Sequence, residues 1–213
     1  MIQKPIIILG AGGHAKVLID TLQRQSADIL GITDPDPNKI GENILGVPVI
    51  GDDNVIGTYN NNSIELVNGI GIIANEKKRQ QIFRNLKNLG YSFASVIHKS
   101  AVLASDIELS EGIQIMAGAV VQPSCKIGTN SIINSRASID HDTIIGAHVH
   151  IAPGATVSGG VQIGSGTLVG AGATIIQGVR IGENVTVAAG AVVIRDVPNG
   201  ATVMGVPAKV VKS

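Results

Sequence analysis

The stretch Ile139 to His150, IDHDTIIGAHVH, gathers three histidines and two aspartates into a run that otherwise holds small and β-branched residues. A histidine titrates near neutral pH, so it can take a proton from an attacking group, and a neighbouring carboxylate fixes its tautomer and raises its basicity. Asp140-His141-Asp142 supplies both groups. Left to itself the triplet reads equally as a general base or as an exposed turn histidine. His148 and His150 add the option of a metal site.

The frame around the triplet decides how these side chains can meet. From Ala101, sixteen successive hexads (AVLASD through AVVIRD) carry Leu, Ile or Val at the third position, from Leu103 to Val193, with no slip of register. First positions are small or β-branched, and positions four to six are rich in Gly, Ser, Asn and Asp. One hexad is a short strand with two inward side chains and a turn, and stacked hexads bury a continuous apolar column, which makes a β-solenoid. Three hexads form a triangular coil, and coils climb by about 4.8 Å, the spacing of hydrogen-bonded strands. Cys125 falls on an inward position and reads as core packing.

Asp140, His141 and Asp142 occupy the fourth to sixth positions of one hexad, so they sit in a turn at a solenoid edge. His150 follows His141 by half a coil, which puts the two on opposite sides of one prism. No metal is therefore expected, and His141 and His150 can face each other only across neighbouring subunits. For His148 a solvated or interface position is expected. One coil beyond His141 stands Gly159, then Gly160, where a glycine leaves room for a thin ligand arm and offers a backbone N–H to an oxyanion. Gly170 with Ala171, and Ala188 with Ala189 and Gly190, continue a lane of small residues.

Composition sets the remaining bounds. Sixteen basic and sixteen acidic residues balance to zero, which removes the footprint of a nucleic-acid or anionic-membrane binder. Aromatics make up 2% of the 213 residues and hydrophobics 44%, so the core is built from Ile, Val, Leu and Ala. A single cysteine allows no intrachain disulfide. No apolar run has the length of a membrane span and the N-terminal run is broken by glycines too early for a signal peptide, so a cytoplasmic setting is expected.

Ahead of the repeat, PIIILGAGGHAKVLIDTLQRQ reads as a strand, a glycine loop and a helix with Val17, Leu18 and Leu22 on its apolar side. Strands follow in DILGITD, VPVIG and SIELVNGIGIIA, then a charged helix NEKKRQQIFRNLKNLG capped by Gly90 and a last strand in YSFASVIH. The alternation implies a small parallel α/β sheet. The loop Gly10-Ala11-Gly12-Gly13-His14-Ala15 nearly fits a dinucleotide fingerprint, with Asp34 about 20 residues on. It reads either as that or as a tight strand-to-helix turn. The segment is short for two mononucleotide halves, which favours a single nucleotide moiety over an NAD dehydrogenase.

Taken with the closing Gly205-Val206-Pro207-Ala208-Lys209 and the stretches GAGGHAKV, VIHKSAVLAS and IDHDTIIG, the chain resembles the PglD/NeuD-type nucleotide-sugar acetyltransferases, a branch of the hexapeptide-repeat acyltransferases. The resemblance implies a Rossmann-like α/β domain over residues 1–97 that holds a nucleotide sugar. It implies a left-handed parallel β-helix with its C-terminal tail over 98–213 that binds acetyl-CoA between subunits of a homotrimer. It carries His141 over as the base and Asp142 as the acid that tunes it, where many relatives have Glu. His150, Gly159, Gly170, Ala171, Ala189 and Gly190 carry over to acetyl-CoA, and Gly12, Gly13, His14, Asp34 and Pro35 to a UDP-sugar. Ala74 joins these substrate contacts, although Ile73-Ala74-Asn75 stands where relatives typically have IGN.

The expected reaction is N-acetylation of a UDP-4-amino-4,6-dideoxy sugar, of the kind needed for diacetylbacillosamine in surface glycans or protein glycosylation. Direct attack is expected, because Cys125 is inward and no serine stands beside His141 in a nucleophile-elbow pattern. The alternatives are O-acetylation of sialic acid, N-acetylation of a GDP-linked amino sugar such as perosamine, a non-catalytic nucleotide-sugar binding protein, and an NAD-dependent oxidoreductase.

Overall fold

In the computed structural model of the chain, residues 4–71 and 77–212 are described, so Ile73, Ala74 and Asn75 lie outside the described residues. The chain divides into two compact units, Met1–Val96 and Ile97–Ser213.

The first unit is built on strands β1 (Ile6–Leu9), β2 (Ile29–Thr33), β3 (Asn43–Ile44), β4 (Val47–Gly51) and β5 (Glu65–Asn68), in the spatial order β3-β4-β2-β1-β5. Strands β4, β2, β1 and β5 run parallel, whereas β3 pairs antiparallel with β4. That edge departs from the all-parallel expectation because Leu45 and Gly46 both adopt positive φ (52° and 84°), the two-residue turn that folds neighbouring strands into a hairpin. Helix α1 (Gly13–Gln23) buries Ala15, Leu18, Ile19 and Leu22, while Val17 is 44% exposed. The expected face was thus one residue out: the spacing 15, 18, 19, 22 keeps to one side of a 3.6-residue turn and position 17 does not. Helix α2 (Lys78–Asn88) ends as expected on Gly90, at φ 87°. Gly90 N–H donates to Lys87 O and Tyr91 N–H to Leu86 O, satisfying two carbonyls of the last turn.

The second unit is a left-handed parallel β-helix. Every hexad forms one two-residue strand at its second and third positions, from Val102–Leu103 to Val192–Val193. Each strand pairs with the strand one coil on, as in Ile139 with Val157 and Ile151 with Val169. A first face contains Ser138–Ile139 and Thr156–Val157, a second Ile144–Ile145 and Gln162–Ile163, and a third His150–Ile151 and Leu168–Val169. First and third positions fill the interior, where full burial of each aliphatic side chain contributes about 1.5–3 kcal/mol. The sixth position is the left-handed one from Gly112 to Gly190. Gly154, Gly160 and Gly172 take positive φ there, but so do Ser124, Asn130, Arg136, Asp142, His148 and Asn184. The corner that follows the first face carries residues 140–142 in one coil and 158–160 in the next.

Candidate active site

At that corner the Asp142 carboxylate Oδ2 lies 2.8 Å from His141 Nδ1. Two side chains adjacent in sequence reach each other because Asp142 sits at φ 59°, a left-handed conformation that Asp tolerates better than most residues. Asp140 holds the turn from the other side, its Oδ1 accepting the His141 N–H at 2.9 Å. The His141 and Asp142 side chains are 53% and 67% exposed. The hydrogen bond to Asp142, and then the charge of Asp140, raise the His141 pKa above its ordinary 6.5. With Nδ1–H donated to Asp142, Nε2 is the acceptor left to take a proton.

The imidazole packs over Gly159. A Cβ built at Gly159 would stand 2.7 Å from both Cε1 and Nε2 of His141, so any side chain there would displace the ring. Gly159 is not among the positive-φ residues. The glycine is therefore required by the ring, a closer constraint than room for a ligand arm. The corner ladder uses Gly160 N–H on His141 O (2.8 Å) and Gly178 N–H on Gly159 O (3.0 Å). It leaves the Gly159 N–H outside, with no acceptor among the described residues.

His141, Asp142 and Gly159 are brought together in this way; the other expected acetyl-CoA residues are not beside them within one chain. His150 stands in a strand of the third face, across the prism from His141. It is 9% exposed, and its Nε2 lies 3.0 Å from the Asn134 amide. Gly170, Ala171, Ala189 and Gly190 occupy the corner that follows that third face. Ala171, Ala189 and Gly190 are exposed there. Gly170 has an internal cause: its Cβ would come within 2.5 Å of Ala189 N, so coil packing demands the glycine. Of the two positions expected for His148, solvated or at an interface, the solvated one does not hold. It is 9% exposed and its Nδ1 meets the Asn130 amide one coil below at 3.0 Å, because its left-handed turn position turns the ring along the stack. No cluster of three or more potential metal ligands occurs among the described residues.

The first unit carries a cleft of about 480 Å³ at the C-terminal ends of its strands. Gly12, Gly13, His14, Asp34 and Pro35 all line it. Gly10 makes the turn out of β1 at φ 87°. Gly12 caps α1 without a side-chain hydrogen bond, and no acidic residue follows in the first turn, so the helix start presents N–H groups suited to a phosphate. Asp34 is already engaged. Its carboxylate accepts the Ala11 N–H at 2.8 Å and the Asp36 N–H at 3.0 Å and pairs with Lys39 at 3.1 Å. Burial alone would raise its pKa, but these two N–H groups and Lys39 together hold it below the ordinary carboxylate value. Asp34 thus braces the glycine loop while facing the cleft.

Two family models match the chain: PglD N-terminal domain over residues 5–86, and bacterial transferase hexapeptide over 124–159 and 160–195. The H141N mutant of perosamine N-acetyltransferase from Caulobacter crescentus, solved in complex with CoA and GDP-perosamine, is 36% identical, with 100% of this chain and 99% of that one covered and a TM-score of 0.91. The chain belongs to the PglD/NeuD-type hexapeptide acetyltransferase family. The acetyltransferase domain of PglB from Neisseria gonorrhoeae FA1090, in complex with acetyl coenzyme A, is 33% identical, with 98% and 100% covered and a TM-score of 0.89. WeeI from Acinetobacter baumannii AYE is 26% identical over 98% of this chain and 100% of that one, with a TM-score of 0.87.

In this PglD/NeuD-type chain, sequence reasoning passed over several cleft residues: Lys39, Asp53, Gly69, Ile70 and Lys78. The signal that finds Asp53, Gly69 and Ile70 is position. Gly10, Asp34, Asp53 and Gly69 each lie within two residues of the C-terminal end of β1, β2, β4 and β5, where ligands meet open α/β sheets. Asp53 Oδ1 accepts the Thr33 hydroxyl at 2.6 Å. The Gly69–Ile70 edge is fixed by buried Arg79, whose Nη1 donates to Asn68 O at 2.6 Å and to Ile70 O at 2.7 Å.

Proposed function

We propose that this protein transfers the acetyl group of acetyl-CoA to the amine of a UDP-linked 4-amino-4,6-dideoxy sugar. The observation that carries the reading is the His141–Asp142 contact, with its ring set over Gly159 at an exposed corner, in a chain matched end to end by a perosamine N-acetyltransferase. The first-unit cleft would hold the nucleotide, with the N–H groups at the start of α1 on the diphosphate and Lys39 and Lys78 beside them. His141 Nε2 takes a proton from the sugar nitrogen as the N–C bond to the acetyl carbon forms. Gly159 N–H donates to the carbonyl oxygen as negative charge gathers there. The C–S bond then breaks, and His141 returns the proton to the leaving CoA sulfur. Asp142 keeps Nδ1 protonated throughout.

The acetyl-CoA arm would lie between subunits, against His150, Ala171, Ala189 and Gly190 of a neighbour in a trimer, since these stand across the prism from His141 in their own chain. A second reading, N-acetylation of GDP-perosamine, is favoured by the relatives that are 36% and 37% identical and were solved with that sugar nucleotide. Turnover with acetyl-CoA and each acceptor, followed by release of the CoA thiol, separates the two. In either case His141→Ala is expected to lower kcat by about 10²–10⁴-fold. An unchanged rate overturns the base role, and reaction with a hydroxyl acceptor alone overturns the amine assignment.

A further inference from the structure

The interior of the β-helix is aliphatic except at four first positions, Cys125 and Thr143 in one column and Ser131 and Thr167 in another. Along the column that enters the second face, the first-position residues are Ile107, Cys125, Thr143, Val161 and Val179. Only Cys125 and Thr143 carry a hydrogen-bond donor, and both are 0% exposed. Each reaches up one level to the fourth-position carbonyl of the turn above it. Cys125 Sγ donates to Asp140 O at 3.1 Å, and Thr143 Oγ1 donates to Ser158 O at 3.2 Å. Those carbonyls open the turns Asp140–Thr143 and Ser158–Val161. The central residues of the first are His141 and Asp142; those of the second are Gly159 and Gly160.

We propose that Cys125 and Thr143 are positioning residues, holding open the two turns that carry His141 and Gly159 so that base and backbone donor keep their mutual geometry. The inference rests on the roles proposed above for His141 and Gly159. At the corner after the third face the backbone closes such a turn by itself: Ala137 N–H bonds to Asn134 O at 3.0 Å and Ala155 N–H to Ala152 O at 3.2 Å, over alanine first positions. At the reacting corner the Cys125 sulfur stands between the two ends instead, donating to Asp140 O and accepting the Thr143 N–H. Burial pushes the Cys125 thiol pKa up, so it remains an S–H donor at neutral pH.

A buried donor is costly unless bonded, and Val161 and Val179 fill the same column without one. Stacking alone does not ask for a thiol and a hydroxyl at these two levels. The fold also contains its own control. At the corner after the second face, Thr167 Oγ1 makes the same bond to Gly182 O at 2.8 Å and accepts the Val185 N–H at 3.1 Å, away from His141.

The test compares Cys125→Ala, Thr143→Val and Thr167→Val in the full chain, with Cys125→Ser and Thr143→Ser as conservative replacements that keep a donor. A misplacement well under 1 Å is enough to lower kcat by about 10-fold in Cys125→Ala and Thr143→Val, with KM for both substrates within about 2-fold. Thr167→Val is expected to lower Tm as far as Thr143→Val does while kcat holds, and the serine replacements to restore kcat. If kcat holds in Cys125→Ala and Thr143→Val, or falls equally in Thr167→Val, the proposal is overturned.

A second readout needs no substrate, so it distinguishes failure here from failure of the proposed reaction. By NMR titration, with the signal assigned by its loss in His141→Ala, the raised His141 pKa should drop toward 6.5 in Cys125→Ala as the Asp142 contact and the nearby Asp140 charge shift, and stay in Thr167→Val. Identical titrations in wild type and Cys125→Ala overturn the proposal even if the acceptor is another molecule.

Discussion

At the scale of single residues, the corner proposed to hold the base depends on one strained position. Asp142 at φ 59° stores a cost of about 1–3 kcal/mol where Gly160, one coil up, has none to bear. In return its carboxylate is held on His141 Nδ1 and raises the imidazole pKa. A base works only when neutral, so a raised pKa places the acid limb of kcat/KM above 6.5, with the rate climbing as pH rises through it. In Asp142→Asn the limb is expected to move to lower pH, since the larger raising contribution is gone, and the plateau to fall because a weaker base remains. A pH profile of kcat/KM checks both. A limb that stays in place would mean that Asp142 does not tune His141.

At the scale of elements, one turn of the corner accommodates the side chain of another. Gly159 lacks positive φ, so Gly159→Ala is compatible with the turn itself and conflicts only with the His141 ring. The expected result is a fall in kcat of about 10–100-fold with Tm near that of wild type, because displacement of a catalytic group by about 1 Å is sufficient. In His141→Ala the same glycine change should cost nothing further, so a double-mutant cycle reads the coupling directly. Equal effects in both backgrounds would place the role of Gly159 on the ligand instead of the ring. In the first unit the corresponding device is the loop braced by Asp34, where two backbone N–H groups and Lys39 fix the entry to α1.

At the scale of the whole molecule, the proposed trimer makes His141 of one chain and His150 of the next parts of a single pocket. Neither His141→Ala nor His150→Ala homotrimers then carry an intact site. Unfolded together and reassembled as mixed trimers, the two variants regain about one quarter of the sites, since each site draws one wild-type group from each chain type. Acetyl transfer by the mixture, compared with each variant alone and with an unmixed blend, reads this out. No recovery in mixed trimers of confirmed mass would separate His150 from the reaction at His141.

The hexad beat from Leu103 to Val193 determined the coil, its inward residues and the corner that carries Asp140-His141-Asp142, because a period-locked pattern leaves each side chain one direction to point. The glycine loop, the ends of β1, β2 and β4 and the Gly90 cap were legible for the same local reason, whereas among the described residues the run SIELVNGIGIIA gives a strand only over Glu65–Asn68 and YSFASVIH only over Val96–Ile97. Other features were not, since they arise between residues distant in the chain. The His148 pairing with Asn130, the engagement of Asp34 by Ala11, the contact of Gly159 with the His141 ring and the Cys125 bond to Asp140 O each join residues 15 to 23 positions apart. Sequence fixes which groups stand at a corner. Only the stacking of one coil on the next decides which of them touch.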